Sequence, residues 1–184
     1  MSRLASCPHC AETAPTRRTV ITGLAAVATL PATASSAATP SAEEDERFMR
    51  MAIADARRAD FPFGAVIVRD GKLLARGRNL GRTTDDPTAH GEMVAIHRAL
   101  KAHGSKALKG ATLYTSGEPC AMCMGAILWC RFGRLVFAAS VDQLASKIDQ
   151  IMISSADLAA KATYAPISIT SGVLADEAMR LFAK

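Results

Sequence analysis

Asp86-Pro87-Thr88-Ala89-His90-Gly91-Glu92 and, further along, Leu113-Tyr114-Thr115-Ser116-Gly117-Glu118-Pro119-Cys120-Ala121-Met122-Cys123 decide the reading of this chain. Each stretch ends where a helix is expected to begin. Thr88 has the side chain of an N-cap for a helix from Ala89 to about His103, with Met93, Ile96 or His97, and Leu100 on the inner face. Ala111 to Ser116 reads as a strand. Pro119 suits the first position of a helix running to Arg131, which Gly133 closes. His90, Cys120 and Cys123 are thereby brought to two helix starts, and two helix N-termini can converge on one point.

One imidazole and two thiolates suit zinc and fill three of its four tetrahedral positions, leaving the fourth for water. Cys120 and Cys123, at i and i+3, share a helix face. Each thiolate is favoured by the positive end of its helix as well as by the metal, and two of them neutralise its formal charge. Glu92 stands two residues from the histidine, so it points past the metal. A carboxylate there can take the proton of a water whose pKa zinc lowers to about 7, then deliver it to a substrate ring and a leaving amine. His97 and His103 are assigned to packing or solvent. Read singly, His90 is a surface histidine and Cys-x-x-Cys half a structural zinc site; their order and placement together carry the catalytic reading.

Outward from this centre, Glu43 to Ala59 has Phe48, Met51, Ala52, Ala56 and Ala59 at helical spacing behind Ser41, and Phe61-Pro62 ends it. Gly64–Arg69 and Lys72–Asn79 flank Asp70-Gly71, a two-residue type I′ turn, and form a hairpin. Arg134 to Ala139 is a fourth strand. Beyond it, Val141–Lys147 reads as helix, Ile151–Ala160 is ambiguous, Pro166–Thr170 is a short strand and Val173–Phe182 a last helix. This alternation argues for a sheet covered by helices on both faces.

The chain of 184 residues, 49% hydrophobic and 21% charged, suits one globular domain and excludes a collagen-like or wholly disordered polymer. Its longest apolar stretch, Val20 to Leu30, falls short of the roughly 20 residues a bilayer-spanning helix needs, so no membrane span is expected. Arg17-Arg18 before that stretch, with Ala32-Thr33-Ala34 and Ser36-Ala37-Ala38 after it, give residues 1–41 the form of a cleaved export signal of twin-arginine type. The alternative is an uncleaved Ala-rich extension on a cytoplasmic protein. Without this segment the net charge falls from +5 to +3, and the last 44 residues hold four basic and five acidic side chains. Arg69, Lys72, Arg76, Arg78 and Arg82 gather on the hairpin, either to touch phosphates or as a solvated, charge-protected edge. With no aromatics among them, nucleic acid is the less favoured partner. Cys7-Pro8-His9-Cys10 would leave with the signal, Cys130 reads as a small buried hydrophobe, and no disulfide framework is expected.

H-x-E followed by P-C-x-x-C resembles the zinc-dependent cytidine and nucleobase deaminase superfamily, over about Glu43 to Ser140. Asp86 to Glu92 is similar to the D-P-T-A-H-A-E of bacterial tRNA adenosine deaminases and guanine deaminases, with Gly91 in place of alanine. That replacement is expected to keep the ligands and to loosen the helix start or widen the pocket. Leu113–Cys120 and Met124-Gly125-Ala126-Ile127-Leu128-Trp129 resemble guanine deaminases.

The resemblance implies a cytidine deaminase-like α/β fold, a three-layer αβα sandwich around a five-stranded mixed sheet, in a homodimer with one zinc per chain. It implies His90, Cys120 and Cys123 as ligands and Glu92 as proton shuttle. Asn79 is then a base contact or a turn residue before Gly81. Phe63 and Trp129 are pocket walls or core, and Asp142 is a candidate substrate contact. The expected activity is hydrolytic loss of ammonia from a small nucleobase or nucleoside, guanine-like purine favoured. The alternatives are a tRNA-specific adenosine deaminase and an inactive zinc-stabilised binding module.

Overall fold

The computed structural model describes residues 40–183. Apart from Pro40 and Ser41, the expected signal segment, with Cys7 and Cys10, lies outside them. The elements are α1 (Ala42–Ala56), β1 (Gly64–Arg69), β2 (Lys72–Arg78), α2 (Gly91–His103), β3 (Thr112–Gly117), α3 (Ala121–Trp129), β4 (Arg134–Ala139), α4 (Val141–Ala145), α5 (Ser155–Lys161), β5 (Ser168–Thr170) and α6 (Ala175–Met179). The sheet runs in the order β2-β1-β3-β4-β5. β1 is antiparallel to both β2 and β3, whereas β3, β4 and β5 are mutually parallel.

Strand side chains alternate between two cores because successive residues point to opposite faces. Ala65, Ile67, Leu113, Leu135 and Phe137 pack with Ala95, Ile96 and Ala99 of α2 and with Met124, Ile127 and Leu128 of α3. Val66, Val68, Tyr114, Val136 and Ala138 pack with Phe48, Met49, Ala52 and Ile53 of α1, Leu144 of α4 and Ala178 of α6. The expected three-layer sandwich around a five-stranded mixed sheet is present. Among the described residues no helix is long and apolar enough to cross a membrane.

Ser41 caps α1, its Oγ accepting from Glu44 N. Within that layer Asp45 is buried beneath a two-pronged contact from Arg134 (2.7 and 2.6 Å), and the Tyr114 hydroxyl donates to the same carboxylate at 2.9 Å. The hairpin turns at Asp70-Gly71, both with φ positive, as its sequence predicts.

Several boundaries differ from expectation. Thr88 does not cap α2: its N–H and hydroxyl bond Asp86 instead, and the cap is His90. Pro119 precedes the cap of α3, which is Cys120. That helix ends at Trp129, and Gly133 N–H bonds Ala111 O rather than closing it. The buried face of α2 is Ala95, Ile96 and Ala99, with Met93 and Leu100 half-buried and His97 exposed. Small residues line that face because α2 lies directly on the hairpin. A Cβ on Gly77 would stand 2.1 Å from Gly91 O and 2.4 Å from Ala95 N, so no other residue fits there unless helix and strand part.

Candidate active site

His90 and Cys120 occupy the same structural position in two different helices. Both are N-caps in extended backbone (φ −64°, ψ 158° and φ −63°, ψ 168°), and neither side chain makes a capping hydrogen bond. A serine or aspartate would spend its oxygen on the helix's first N–H groups, whereas these two side chains remain free to face outward. Cys123 is the N3 residue of α3. The spacing that lets N-cap and N3 side chains meet in a capping box brings its sulfur beside that of Cys120.

The three ligand atoms lie within 4.8 Å of one another, with His90 Nδ1 at 3.7 Å from Cys120 Sγ and 3.6 Å from Cys123 Sγ. Tetrahedral zinc with Zn–S and Zn–N bonds of about 2.3 and 2.0–2.1 Å sets nitrogen and sulfur ligands about 3.6 Å apart. The donor set and its spacing therefore fit one zinc ion. Among protein groups alone, hydrogen bonds from Cys123 and His90 hold the Cys120 thiol down to about 4, with burial opposing them. Cys123 is held far up, first by its bond to Cys120 and then by burial. The bond to Cys120 raises His90.

Glu92, in the first turn of α2, is only 4% exposed, and Thr115 Oγ1 in β3 donates to its Oε1 at 3.1 Å. Burial raises its pKa above the ordinary carboxylate value, outweighing the bond from Thr115. The result is a buried carboxyl beside a ligand set for zinc.

His90 and Cys120 open onto a cavity of about 720 Å³, which Asn79, Phe61 and Phe63 line on one side and Ile148, Asp149, Gln150 and Ile151 on the other. Asn79 is a turn residue, its Oδ1 accepting from Gly81 N at 3.1 Å, and it also lines the cavity. Phe63 stacks on Phe61 (5.8 Å between centroids) and packs on Phe182 (5.5 Å), giving an aromatic wall.

Two expected contacts are placed elsewhere. Trp129 is neither cavity wall nor core: it is 75% exposed at the end of α3 and lies against Tyr164 with centroids 4.9 Å apart. α3 turns Cys123, Met124, Ile127 and Leu128 into the core, and Trp129 falls on its other face with Met122, Gly125 and Ala126. Asp142 is exposed in the first turn of α4, and the acidic side chain at the cavity is Asp149. Sequence reasoning missed Phe61, Phe182 and the whole 148–151 wall. An aromatic pair around Pro62 was the available signal for the first, and nothing marked the wall.

Gly91 lies in close contact with the chain that leads into β1. A Cβ there would lie 3.0–3.3 Å from backbone atoms of Phe63 and Gly64, so the glycine seats α2 against the start of β1. Two of the five basic side chains of the hairpin are engaged within the fold: Arg69 bonds Lys106 O and Ala107 O, and Arg76 pairs with Asp55.

Residues 42–139 match the cytidine and deoxycytidylate deaminase zinc-binding region. Guanine deaminase of Bacillus subtilis (strain 168) is 53% identical over 78 residues, 42% of this chain and 50% of that one. The chain thus spans half the length of that relative. The tRNA-specific adenosine deaminase of Haemophilus influenzae is 40% identical over 146 residues, 77% of this chain and 82% of that one. Among solved structures, NE0047 in complex with 2,6-diaminopurine is 27% identical with a TM-score of 0.67, over 76% of this chain and 79% of that one.

Proposed function

The chain belongs to the cytidine and deoxycytidylate deaminase zinc-binding family, and from that premise we propose that it removes an exocyclic amine, as ammonia, from a small nucleobase or nucleoside, with a guanine-like purine favoured. The observation that carries this reading is Glu92, a buried carboxyl held on one oxygen by Thr115 beside the His90, Cys120 and Cys123 set. When bound there, zinc supplies the Lewis acidity that makes water a nucleophile at neutral pH.

Thr115 fixes Oε1 and leaves Oε2 of Glu92 to carry protons. This oxygen takes one from the attacking water and gives it to a ring nitrogen. It then takes the hydroxyl proton of the adduct and gives it to the departing amine. One water enters, one ammonia leaves, and the ring carbon keeps the oxygen. Asn79, with Oδ1 engaged by Gly81 N–H, has its Nδ2–H₂ to offer to an acceptor on the ring edge. Phe61 and Phe63 offer the apolar faces against which a planar base stacks.

The small-substrate reading is supported by the engagement within the fold of Arg69 and Arg76, two of the five basic side chains of the hairpin, which draws these two away from phosphates. A tRNA substrate is the second reading, favoured by the long match to the Haemophilus influenzae enzyme. A homodimer is supported by the exposed Trp129–Tyr164 pair, and export by the order of residues 17–38.

The test is ammonia release by the full-length, zinc-loaded chain from guanine, adenine, cytosine, their nucleosides and tRNA. Release from a free base or nucleoside supports the proposal. Turnover of tRNA alone, with an affinity that falls steeply with salt, replaces it by the second reading. No release from any substrate with zinc bound makes the domain a binding module.

A further inference from the structure

Glu118 is 8% exposed and is not among the cavity-lining residues, yet its two oxygens are fully engaged. Oε2 accepts from Val141 N at 2.8 Å and Oε1 from Ser155 N at 2.7 Å. These are the first residues of α4 and α5, whose N-cap serines, Ser140 and Ser154, satisfy Gln143 N and Asp157 N. One carboxylate therefore ties together two helix starts that are 14 residues apart in the chain.

Between the two ties runs the segment that supplies Ile148, Asp149, Gln150 and Ile151 to the cavity. Its own cohesion is slight. Among the described residues, the one hydrogen bond made within 149–153 is Ile153 N–H to Ile151 O, and Ile151, Met152 and Ile153 are exposed rather than packed in a core. On its other side Glu118 donates its N–H to Ala139 O at 2.7 Å and stands two residues before Cys120.

We propose that Glu118 is a positioning residue that holds the 146–154 cavity wall against the loop leading to Cys120, and so sets the affinity for substrate without taking part in the chemical step. The proposal rests on the reading of this cavity as a deaminase site. A carboxylate can accept both N–H groups at once, whereas a carboxamide has one oxygen, and its NH₂ would face the second donor. Glu118→Gln thus releases one tie with almost no change of volume. Val141→Pro removes the opposite partner of one tie. Proline suits a first helical position, and Ser140, with φ −73° and ψ 162°, already has the extended backbone that a following proline requires.

Both variants are prepared as full-length, zinc-loaded chains beside the wild type, with guanine as the probe. Three quantities are measured: zinc content, guanine KM and kcat, and the rate of tryptic cleavage after Lys147, which is exposed inside the segment. The expected result in each variant is unchanged zinc, kcat within about twofold, and KM and cleavage rate each raised about tenfold, as losing a charge-assisted hydrogen bond implies. Saturating guanine slows the cleavage of the wild type. The double variant is less than additive, because with no N–H at position 141 the one carboxamide oxygen is free to keep the Ser155 tie.

Wild-type cleavage rates in both variants overturn the proposal, as does loss of zinc from Glu118→Gln without faster cleavage. If Glu118→Gln does not fold, Val141→Pro alone decides. Should the wild type not turn over guanine, the proposed substrate is what fails, and the cleavage rates still decide the role of Glu118.

Discussion

Gly77→Ala adds one carbon at a distance from the ligands and is expected to damage the metal site. The new Cβ would sit 2.1 Å from Gly91 O and 2.4 Å from Ala95 N, whereas ordinary contact begins near 3.4 Å, so the first turns of α2 must withdraw by about 1.3 Å or β2 must bend away. Overpacking of this kind costs about 2 kcal/mol, which lowers Tm by about 6 °C in a chain of this length. The functional loss is larger, because the withdrawn turn carries His90 and Glu92. His90 Nδ1 leaves its 3.6–3.7 Å spacing to the two sulfurs, and zinc affinity falls by about 10–100-fold. A displacement near 1 Å in catalytic geometry lowers kcat by about 100-fold. Gly125→Ala is the control: inside α3, with nothing within 4 Å of the added carbon, it is expected to stabilise by about 1 kcal/mol through helix propensity. Differential scanning fluorimetry, zinc titration and ammonia release read all three effects. A Gly77→Ala protein with wild-type Tm, zinc affinity and kcat would refute the close-packing argument.

Glu92→Gln should retain zinc and fold while ammonia release drops by at least about 10³-fold, measured by metal analysis beside the assay. Asp45→Ala should cost about 3 kcal/mol in chemical denaturation, since it strands the half-buried Arg134 guanidinium and the Tyr114 hydroxyl. Asp60 and Asp86, each bonded by a threonine N–H and hydroxyl from Thr83 or Thr88, are held below the ordinary value of 3.8. A depressed folded-state pKa stabilises above the unfolded value and loses that effect as pH falls through the folded one. Asp60→Asn and Asp86→Asn should therefore lower Tm at pH 7, and the difference from wild type should fade as the pH falls through and below the ordinary aspartate value, in melts run across that range. Ser155→Ala should raise Tm slightly, by about 1 kcal/mol in stability, because it deletes a buried hydroxyl that has no partner among the described residues.

The ligand set was legible because metal chemistry restricts residue type and spacing at once: only His90, Cys120 and Cys123 combined helix-start positions with the right donors. The hairpin was legible from Asp70-Gly71, whose positive φ values few residue pairs supply. The helix boundaries were less so, for a physical reason. Propensity favours Thr88 as a cap, but the two caps are His90 and Cys120, residues with poor capping ability, because their side chains serve the metal. Trp129 was misplaced because apolar character alone does not distinguish a wall from an outward face. The 148–151 wall carries no periodicity and no motif; it becomes part of the site only through α4, α5 and the Glu118 carboxylate, a tertiary arrangement that no local pattern encodes. Glu118 stands next to the Pro119-Cys120 motif in the sequence, and its role shows only in its two partners, Val141 N and Ser155 N.

The outer border of β2 has a further consequence. Its free carbonyls do not stand open: Arg98 Nη1 donates to Arg76 O at 2.9 Å, and His103 Nε2 lies 3.2 Å from Leu74 O, so two side chains of α2 reach over the margin. At the opposite margin β5 is only three residues long. A strand arriving from another molecule meets two carbonyls of β2 already engaged at one end and a three-residue strand at the other, which hinders the edge-to-edge pairing by which sheets grow into fibres. The edges of this sheet thus discourage open-ended growth and leave the exposed side chains of the helices, Trp129 among them, as the surface on which single substitutions would tune any contact between copies.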